Sequence, residues 1–142
     1  MKNVQAMLDA GATFGLEQEG LDELLMANVQ GDGLDMVRLL LKSGASPNAK
    51  NDDATALMLA AEYGKPEMMK LLIEAGADLN AKDDDGWTAL MYASDVDKTR
   101  MLIDAGADLT VKSKDGKTAL ALAIENQQED VAKFLKSRGA PK

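Results

Sequence analysis

The sequence predicts an all-helical solenoid in which similar helix-turn-helix units stack side by side. First, the segment TAL recurs at Thr55, Thr88 and Thr118, and an apolar stretch follows each copy. Second, related closing segments follow each copy, as EAGADLNAK, DAGADLTVK and KSRGA. Third, glycines close the units at spacings of 33, 32, 30 and 33 residues, and a nearly fixed period of this size is typical of repeat architectures. These glycines are Gly11, Gly44, Gly76, Gly106 and Gly139.

The second unit shows how the first helix of each unit is specified. Thr55 stands where a helix N-cap belongs, and residues 57–61 are apolar, with small alanines that let a neighbouring helix pack closely. Gly64 is predicted to adopt a positive φ and to end this helix. Pro66 suits the first position of the next helix, where its missing N–H costs nothing.

The second helix of the unit carries apolar residues at three- and four-residue spacing, which predicts an amphipathic helix. Gly76 ends this helix, and residues 77–87 then form an extended finger that turns near Asp85-Gly86. Because such a unit cannot bury its apolar face alone, neighbouring units must stack. The methionines predicted to fill the core between the units are Met58, Met69, Met91 and Met101.

The units differ in length. Residues 4–12 match only the second helix of a unit, so residues 1–15 form either a reduced N-terminal cap or the first part of a chain that was cut from a longer array. Asp22 takes the place of the capping threonine in the first full unit. The third full unit lacks three residues between its helices, where AAEYGKPE becomes ASDVD, and its first helix is predicted to end near Ser94. The predicted domain therefore comprises 1–15 as a half-repeat, 16–49 as repeat 1, 50–82 as repeat 2, 83–112 as the shortened repeat 3, and 113–142 as repeat 4 with the C-terminal cap.

The segment that opens each unit resembles the signature of the ankyrin-repeat family, whose unit of about 33 residues carries the motif T-P-L-H-x-A. Here the motif reads TALMLA from Thr55, TALMYA from Thr88 and TALALA from Thr118. Alanine replaces the motif proline, and methionine or alanine replaces the histidine that ties neighbouring repeats together in the family. The resemblance covers nearly the whole chain, and packing by Met58 and Met91 is expected to substitute for the histidine.

Composition argues against several classes of function. The chain has no cysteine and no histidine, so it lacks disulfides, thiol chemistry and the commonest general base. The net charge is −8, of which residues 1–111 carry −11 and residues 112–142 carry +3. An acidic body argues against binding nucleic acid, because phosphate contacts need clustered Lys and Arg. No apolar run approaches the length of a membrane span, and a cytoplasmic monomer without a cofactor is expected.

The aspartate run at residues 83–85 raises the question of a metal site or a catalytic site. A calcium loop of the EF-hand type needs oxygen ligands at alternating positions and a glutamate at its end. The residues at the first and last of these positions are Ala81 and Tyr92. Aspartate is also favoured on turns for backbone reasons, and exposed carboxylates lack the burial that acid–base catalysis uses. Neither a specific metal site nor an enzyme is therefore expected.

The resemblance implies a concave binding face made of the fingertips and the exposed side of each first helix. Trp87 is the candidate anchor, because aromatic residues are enriched at interface hot spots; alternatively, it packs only on Tyr92 or on a neighbouring finger. The charge along the fingers changes from negative in repeats 2 and 3 to positive in repeat 4, which would orient a partner. The candidate partner-binding residues are Asp52, Asp53, Glu62, Tyr63, Asp84, Asp85, Trp87, Tyr92, Lys114, Lys117, Glu125 and Asn126.

The expected function is non-catalytic binding of another protein, which presents a basic and apolar patch. One alternative is a structural segment of a larger ankyrin-repeat protein that only spaces or orients other domains. Another is an acidic inhibitor of a basic nucleic-acid-binding protein, whose affinity would fall steeply with salt. A binding site predicts that Trp87 is accessible to solvent, whereas a spacer segment predicts an exposed apolar patch at Val4, Met7 and Leu8.

Overall fold

The computed structural model describes residues 18–140, which form eight helices joined by loops. The predicted half-repeat 1–15, with Val4, Met7 and Leu8, lies outside the described residues. No helix in the described part has the length and apolarity that a membrane crossing demands. The helices are α1 (Gln18–Asn28), α2 (Leu34–Lys42), α3 (Ala56–Glu62), α4 (Pro66–Glu74), α5 (Ala89–Tyr92), α6 (Val96–Asp104), α7 (Ala119–Glu125) and α8 (Glu129–Ser137).

The helices pair into four helix-turn-helix units that stack in two layers. Within the units, α1 packs on α2, α3 on α4, α5 on α6 and α7 on α8. In one layer α5 lies between α3 and α7, and in the other layer α2, α4, α6 and α8 contact one another in succession. Residues 18–140 contain no strand, only an isolated bridge between Lys50 and Thr55. The predicted all-helical solenoid is confirmed.

The core runs along the stack as columns of equivalent side chains. One leucine in each second helix, four residues before the closing glycine, is at most 1% exposed. Burial of a leucine stabilises the fold by roughly 1.5–3 kcal/mol, so this column is a main source of cohesion between units. Among the methionines predicted to lie in the core, Met101 is half-buried and the other three are buried. The leucines of the column are Leu40, Leu72, Leu102 and Leu135.

The threonines that open the units do not all cap their helices. The hydroxyl oxygens of Thr55 and Thr118 accept the backbone N–H groups of Met58 and Ala121, each at 3.2 Å, as predicted. Thr88 occupies the N-cap position of α5, but its side chain accepts no capping hydrogen bond. The helix α5 is the shortest of the eight described helices, and its N-terminus also lacks a side-chain capping bond.

Two of the predicted roles at helix ends are wrong. Asp22 is not an N-cap, because the chain is already helical at Gln18. Its carboxylate instead accepts the backbone N–H of Ser46 at 2.8 Å and fixes the loop after α2. Gly64 does not adopt a positive φ. A glycine is needed there for space, because a Cβ atom would lie 2.8 Å from the carbonyl oxygen of Val29.

Asparagine side chains in the loops that follow the second helices connect successive units. The Oδ1 atom of Asn48 accepts the N–H of Asp78 at 2.6 Å, and the Oδ1 atom of Asn80 accepts the N–H of Asp108 at 2.8 Å. Each bond joins one inter-repeat loop to the next. The sulfur of Met58 accepts a bond from within its own unit. Loop-to-loop hydrogen bonds therefore join successive units, and Met58 and Met91 are buried in the core.

Candidate functional site

Three fingers precede the first helices of repeats 2, 3 and 4: finger 2 (residues 50–55), finger 3 (82–87) and finger 4 (112–117). Fingers 3 and 4 turn at Gly86 and Gly116, whose φ values are 79° and 78°. We call the surface formed by these fingers, by α3, α5 and α7, and by the residue directly after each of these helices the finger face. By this definition the finger face includes every predicted binding residue, because each lies in one of these elements.

Asp83 is the central acceptor of finger 3. One oxygen of its carboxylate, Oδ1, accepts the backbone N–H groups of Asp85 and Trp87, each at 2.9 Å. The other oxygen, Oδ2, accepts the hydroxyl of Tyr92. Both carboxylate oxygens of Asp83 therefore already accept hydrogen bonds, one from the turn of finger 3 and one from Tyr92 of α5. Within residues 18–140, no group of three or more Asp, Glu, His or Cys side chains is placed to hold a metal ion.

Trp87 and Tyr92 form an aromatic pair at the base of finger 3. Their ring centroids lie 5.1 Å apart with the planes at 48°, and both residues are half-buried. Trp87 therefore packs on Tyr92, as the alternative prediction stated, and part of the indole remains accessible to solvent. Burial, the hydrogen bond to Asp83 and the nearby charges of Asp83, Glu62 and Asp85 raise the pKa of Tyr92 far above its ordinary value.

Tyr63 extends the aromatic character of the finger face towards repeat 2. It follows α3 and is 59% exposed, the highest value among the large apolar side chains of the described residues. The charge of Glu62 raises the pKa of Tyr63. Because Glu62 also contributes to the raised pKa of Tyr92, its carboxylate influences both tyrosines.

Exposed carboxylates line fingers 2 and 3. A cleft of about 320 Å³ separates these fingers and is lined by residues 50–55 and 82–84. Fingers 3 and 4, by contrast, are in direct contact, because the backbone N–H of Lys114 donates to the carbonyl oxygen of Asp85 at 2.9 Å. The aromatic pair therefore lies at the more tightly joined part of the finger face. The exposed carboxylates are Asp52, Asp53, Asp84 and Asp85.

Finger 4 carries less free positive charge than its sequence suggests. The ammonium group of Lys117 forms an ion pair with Glu125 at 2.6 Å, and this hydrogen bond raises the pKa of Lys117. Lys112 and Lys114 are exposed, as is Asn126 at the C-cap of α7. The predicted basic end of the finger face therefore depends mainly on Lys112 and Lys114.

The sequence analysis missed Lys98, which is 5% exposed and is the one charged residue buried within residues 18–140. Its ammonium group donates to the carbonyl oxygen of Ala61 at 3.2 Å and to the hydroxyl of Ser94 at 3.0 Å. Ala61 directly precedes Glu62, so Lys98 supports a helix end that belongs to the finger face. A signal was present in the sequence, because the equivalent positions of the other repeats are apolar. They are Met36, Met68 and Val131.

Comparison with known proteins agrees with the repeat fold. A family model described as ankyrin repeats (3 copies) matches residues 3–83, 24–113 and 82–142. A curated relative, the ankyrin repeat and KH domain-containing protein mask-1 of Caenorhabditis elegans, is 42% identical over 66 residues. That alignment covers 45% of this chain and 2% of the relative.

Proposed function

This chain belongs to the ankyrin-repeat family, whose repeats are generally protein–protein interaction modules, and we propose that it binds a partner protein through the finger face. The proposed role is non-catalytic. The observation that carries it is the Trp87–Tyr92 pair, which is partly accessible, fixed by Asp83 and close to exposed carboxylates. Aromatic groups of this kind are the usual anchors of protein interfaces.

The charges favour a partner that presents a lysine or arginine beside an apolar side chain. A cation over the Trp87 ring would gain roughly 0.5–2 kcal/mol, and the exposed Tyr63 of repeat 2 offers further apolar area on the finger face. Asp84 and Asp85 are exposed on the same finger, so they would attract the cation before contact forms. The exposed Lys114 on finger 4 would repel the same cation and thereby favour one orientation of the partner.

The test compares binding by the unmodified chain and by Trp87→Ala. A partner is first isolated by affinity capture from cells that make the protein, and its binding is then measured kinetically. Trp87→Ala is expected to weaken binding by about 2 kcal/mol or more, the usual size of a hot-spot loss. Lys70→Ala is the matched control, because Lys70 is exposed on α4, outside the finger face. Circular dichroism checks that both variants fold.

Two results separate the contributions of ring and charge. Neutralising Asp84 and Asp85 to asparagine should slow association and reduce its salt dependence, because charges at the rim act mainly on the on-rate. If Trp87→Ala folds and binds as well as the unmodified chain, the finger face is not the recognition surface. If affinity instead collapses with salt and is indifferent to Trp87, the chain acts as an acidic inhibitor of a basic protein.

A scaffold segment is the second candidate, and the relative favours it. The matched 66 residues make up 2% of a much longer protein, so similar repeats also occur as a small part of a much longer chain. A scaffold segment would orient other domains without a partner on the finger face. It predicts that no protein is captured in a manner that depends on Trp87.

A further inference from the structure

The residue that opens the turn of each finger accepts backbone N–H groups. In finger 2 the Oδ1 atom of Asn51 accepts from Asp53 and Ala54, each at 2.8 Å. In finger 4 the hydroxyl of Ser113 accepts from Lys117 at 3.2 Å. An amide oxygen or a hydroxyl is therefore sufficient to hold such a turn, and a carboxylate is not required for it.

Finger 3 differs because Asp83 has a second oxygen that the turn does not use. This oxygen accepts the hydroxyl of Tyr92, nine residues later in α5. Tyr92 has no hydroxyl counterpart in the neighbouring repeats, where the equivalent residues are Leu59 and Leu122. The position of Trp87 is likewise not aromatic elsewhere, since Ala54 and Lys117 occupy it in fingers 2 and 4. Carboxylate, indole and phenol thus occur together only in repeat 3 among the three repeats that have these fingers.

Trp87 is consequently held at its backbone and at its ring. Its N–H donates to Oδ1 of Asp83, and its carbonyl oxygen accepts the N–H of Asp83 at 3.0 Å. Its ring packs on Tyr92, whose hydroxyl is bound to the same carboxylate. We propose that Asp83 is a positioning residue of the finger face, which fixes Trp87 and Tyr92 in one arrangement before a partner arrives. This inference rests on the proposed function for its purpose, but the ordering itself is a property of the free chain.

Such ordering would matter for recognition because a side chain that is already fixed loses less conformational freedom on binding. A binding constellation is also more precise when neighbouring hydrogen bonds lock its rotamers. A phenol is protonated throughout the neutral range, and burial and the bond to Asp83 raise the pKa of Tyr92 further, so the hydroxyl can donate to the carboxylate at any pH near neutral. Asp83 itself is therefore not expected to contact the partner's cation; the exposed Asp84 and Asp85 fill that role.

Three variants test the positioning role in the free chain. Asp83→Ser transfers the turn residue of finger 4 and keeps an acceptor for the N–H of Trp87, but it leaves the Tyr92 hydroxyl without its carboxylate. Tyr92→Phe removes only that hydroxyl. Asp83→Asn keeps both contacts, because an amide oxygen accepts backbone N–H groups and an amide nitrogen can donate to the phenol oxygen.

The deciding measurement is time-resolved fluorescence anisotropy of Trp87, the only tryptophan of the chain. In the unmodified chain and in Asp83→Asn, the indole should rotate only with the whole molecule. Asp83→Ser and Tyr92→Phe should each add a fast component, on the order of 1 ns, the timescale of a released side chain. If both leave the anisotropy decay unchanged while melting shifts, Asp83 only stabilises its turn and the inference is wrong.

A second measurement follows the titration of Tyr92 by absorbance in a Tyr63→Phe background, which leaves one tyrosine. Asp83→Ser should shift this titration to lower pH, and an unchanged midpoint would contradict the bond between Asp83 and Tyr92. With the captured partner as the probe, Asp83→Ser should raise Kd about tenfold, and adding Tyr92→Phe should cause little further loss, since both changes break one unit. Failure of Trp87→Ala to weaken binding would remove the proposed function and leave the anisotropy result standing.

Discussion

The first helices of repeats 2 and 3 open with the same four residues, TALM, and yet these helices end differently. In repeat 2 the helix α3 runs for seven residues, and Gly64 then packs its backbone closely against the first unit. In repeat 3 the helix α5 has four residues and ends at Tyr92. The three missing residues therefore remove most of the second turn of this helix. The predicted end near Ser94 would have implied that they remove only loop residues.

The difference shows how a deletion inside a repeat can be tolerated. A helix that ends early no longer covers the neighbouring helix end, and a buried carbonyl group needs a hydrogen-bond partner. The carbonyl oxygen of Ala61 obtains its partners from Lys98 and, at 3.4 Å, from the hydroxyl of Ser94. Repeat 3 thus supplies two polar side chains to this carbonyl group, and one of them, Lys98, stands at a position that is apolar in the other repeats. The first prediction concerns repeat 2, where the residue after the first helix that approaches the preceding unit is Gly64 and not a polar side chain.

Gly64→Ala should have the largest effect on stability. A Cβ atom there would lie 2.8 Å from the Val29 oxygen and 3.0 Å from backbone atoms of Ala60, and backbone cannot move aside as a side chain can. A cost of about 2–3 kcal/mol is expected from such overpacking, measured as the free energy of unfolding in urea. Gly31→Ala, in the corresponding join of repeat 1, is the control, since nothing lies within 4 Å of its added Cβ. Equal costs at the two glycines would refute the close approach of repeats 1 and 2.

Lys98→Met should come next, with a loss of about 2 kcal/mol, because it deprives the buried carbonyl of Ala61 of its closer donor. The methionine itself fits the site, as Met68 does in repeat 2. The measurement is again urea unfolding, and Lys70→Met on the exposed side of α4 gives the background effect of losing a lysine charge.

A restored repeat makes the Lys98 test specific. Residues 93–97 are replaced by the sequence of residues 60–67, which returns the missing turn. Lys98→Met should then be neutral or stabilising, because the restored backbone covers the site and an apolar side chain is preferred there. A loss as large in the restored repeat as in the natural one would show that Lys98 does not compensate for the deletion.

Much of the fold could be predicted because the same signal occurs several times. The recurring threonines, alanines and glycines indicate the helices and their order, and the eight helices of residues 18–140 follow that order. The errors occur where one residue has two possible roles. Asp22 resembles an N-cap, but the helix already extends past it, and its carboxylate finds a partner 24 residues away.

The site could be predicted only in part, for a different physical reason. The finger positions follow from the repeat pattern, so the placement of Trp87 and Tyr92 could be predicted from the sequence. Their hydrogen-bond partner was not, because finger 2 and finger 4 show that the turn works without a carboxylate. Lys98 was the hardest to foresee. A lysine on a helix is normally solvated, and its burial here depends on a carbonyl group 37 residues earlier.

A smaller effect is expected at the fingertips, where repeat 3 is joined to repeat 4 but separated from repeat 2 by the cleft. Gly86 and Gly116 have nearly the same positive φ, so alanine is strained equally at both. Only at Gly86 would the Cβ atom meet backbone, 3.0 Å from the nitrogen of Lys114. Gly86→Ala should therefore destabilise by about 1 kcal/mol more than Gly116→Ala. Identical melting temperatures for the two variants would contradict the contact between fingers 3 and 4.

The mildest test leaves the sequence unchanged and compares the local stability of the two repeats by native-state amide exchange. Residues 57–61 are at most 9% exposed and lie within a capped helix. Residues 93–98 include the exposed Ser94 and Asp95, and the N–H of Ala93 bonds to Leu90 only at 3.4 Å. Segments with few buried contacts open at a lower free energy than the global unfolding, so residues 93–98 should exchange before residues 57–61.

Lys98→Met should widen this difference in exchange, because it loosens the join between α5 and α6 while α3 retains its own hydrogen bonds. Slower exchange at residues 93–98 than at residues 57–61 would mean that the deletion has tightened repeat 3, and the buried lysine would then be a source of rigidity beyond simple compensation.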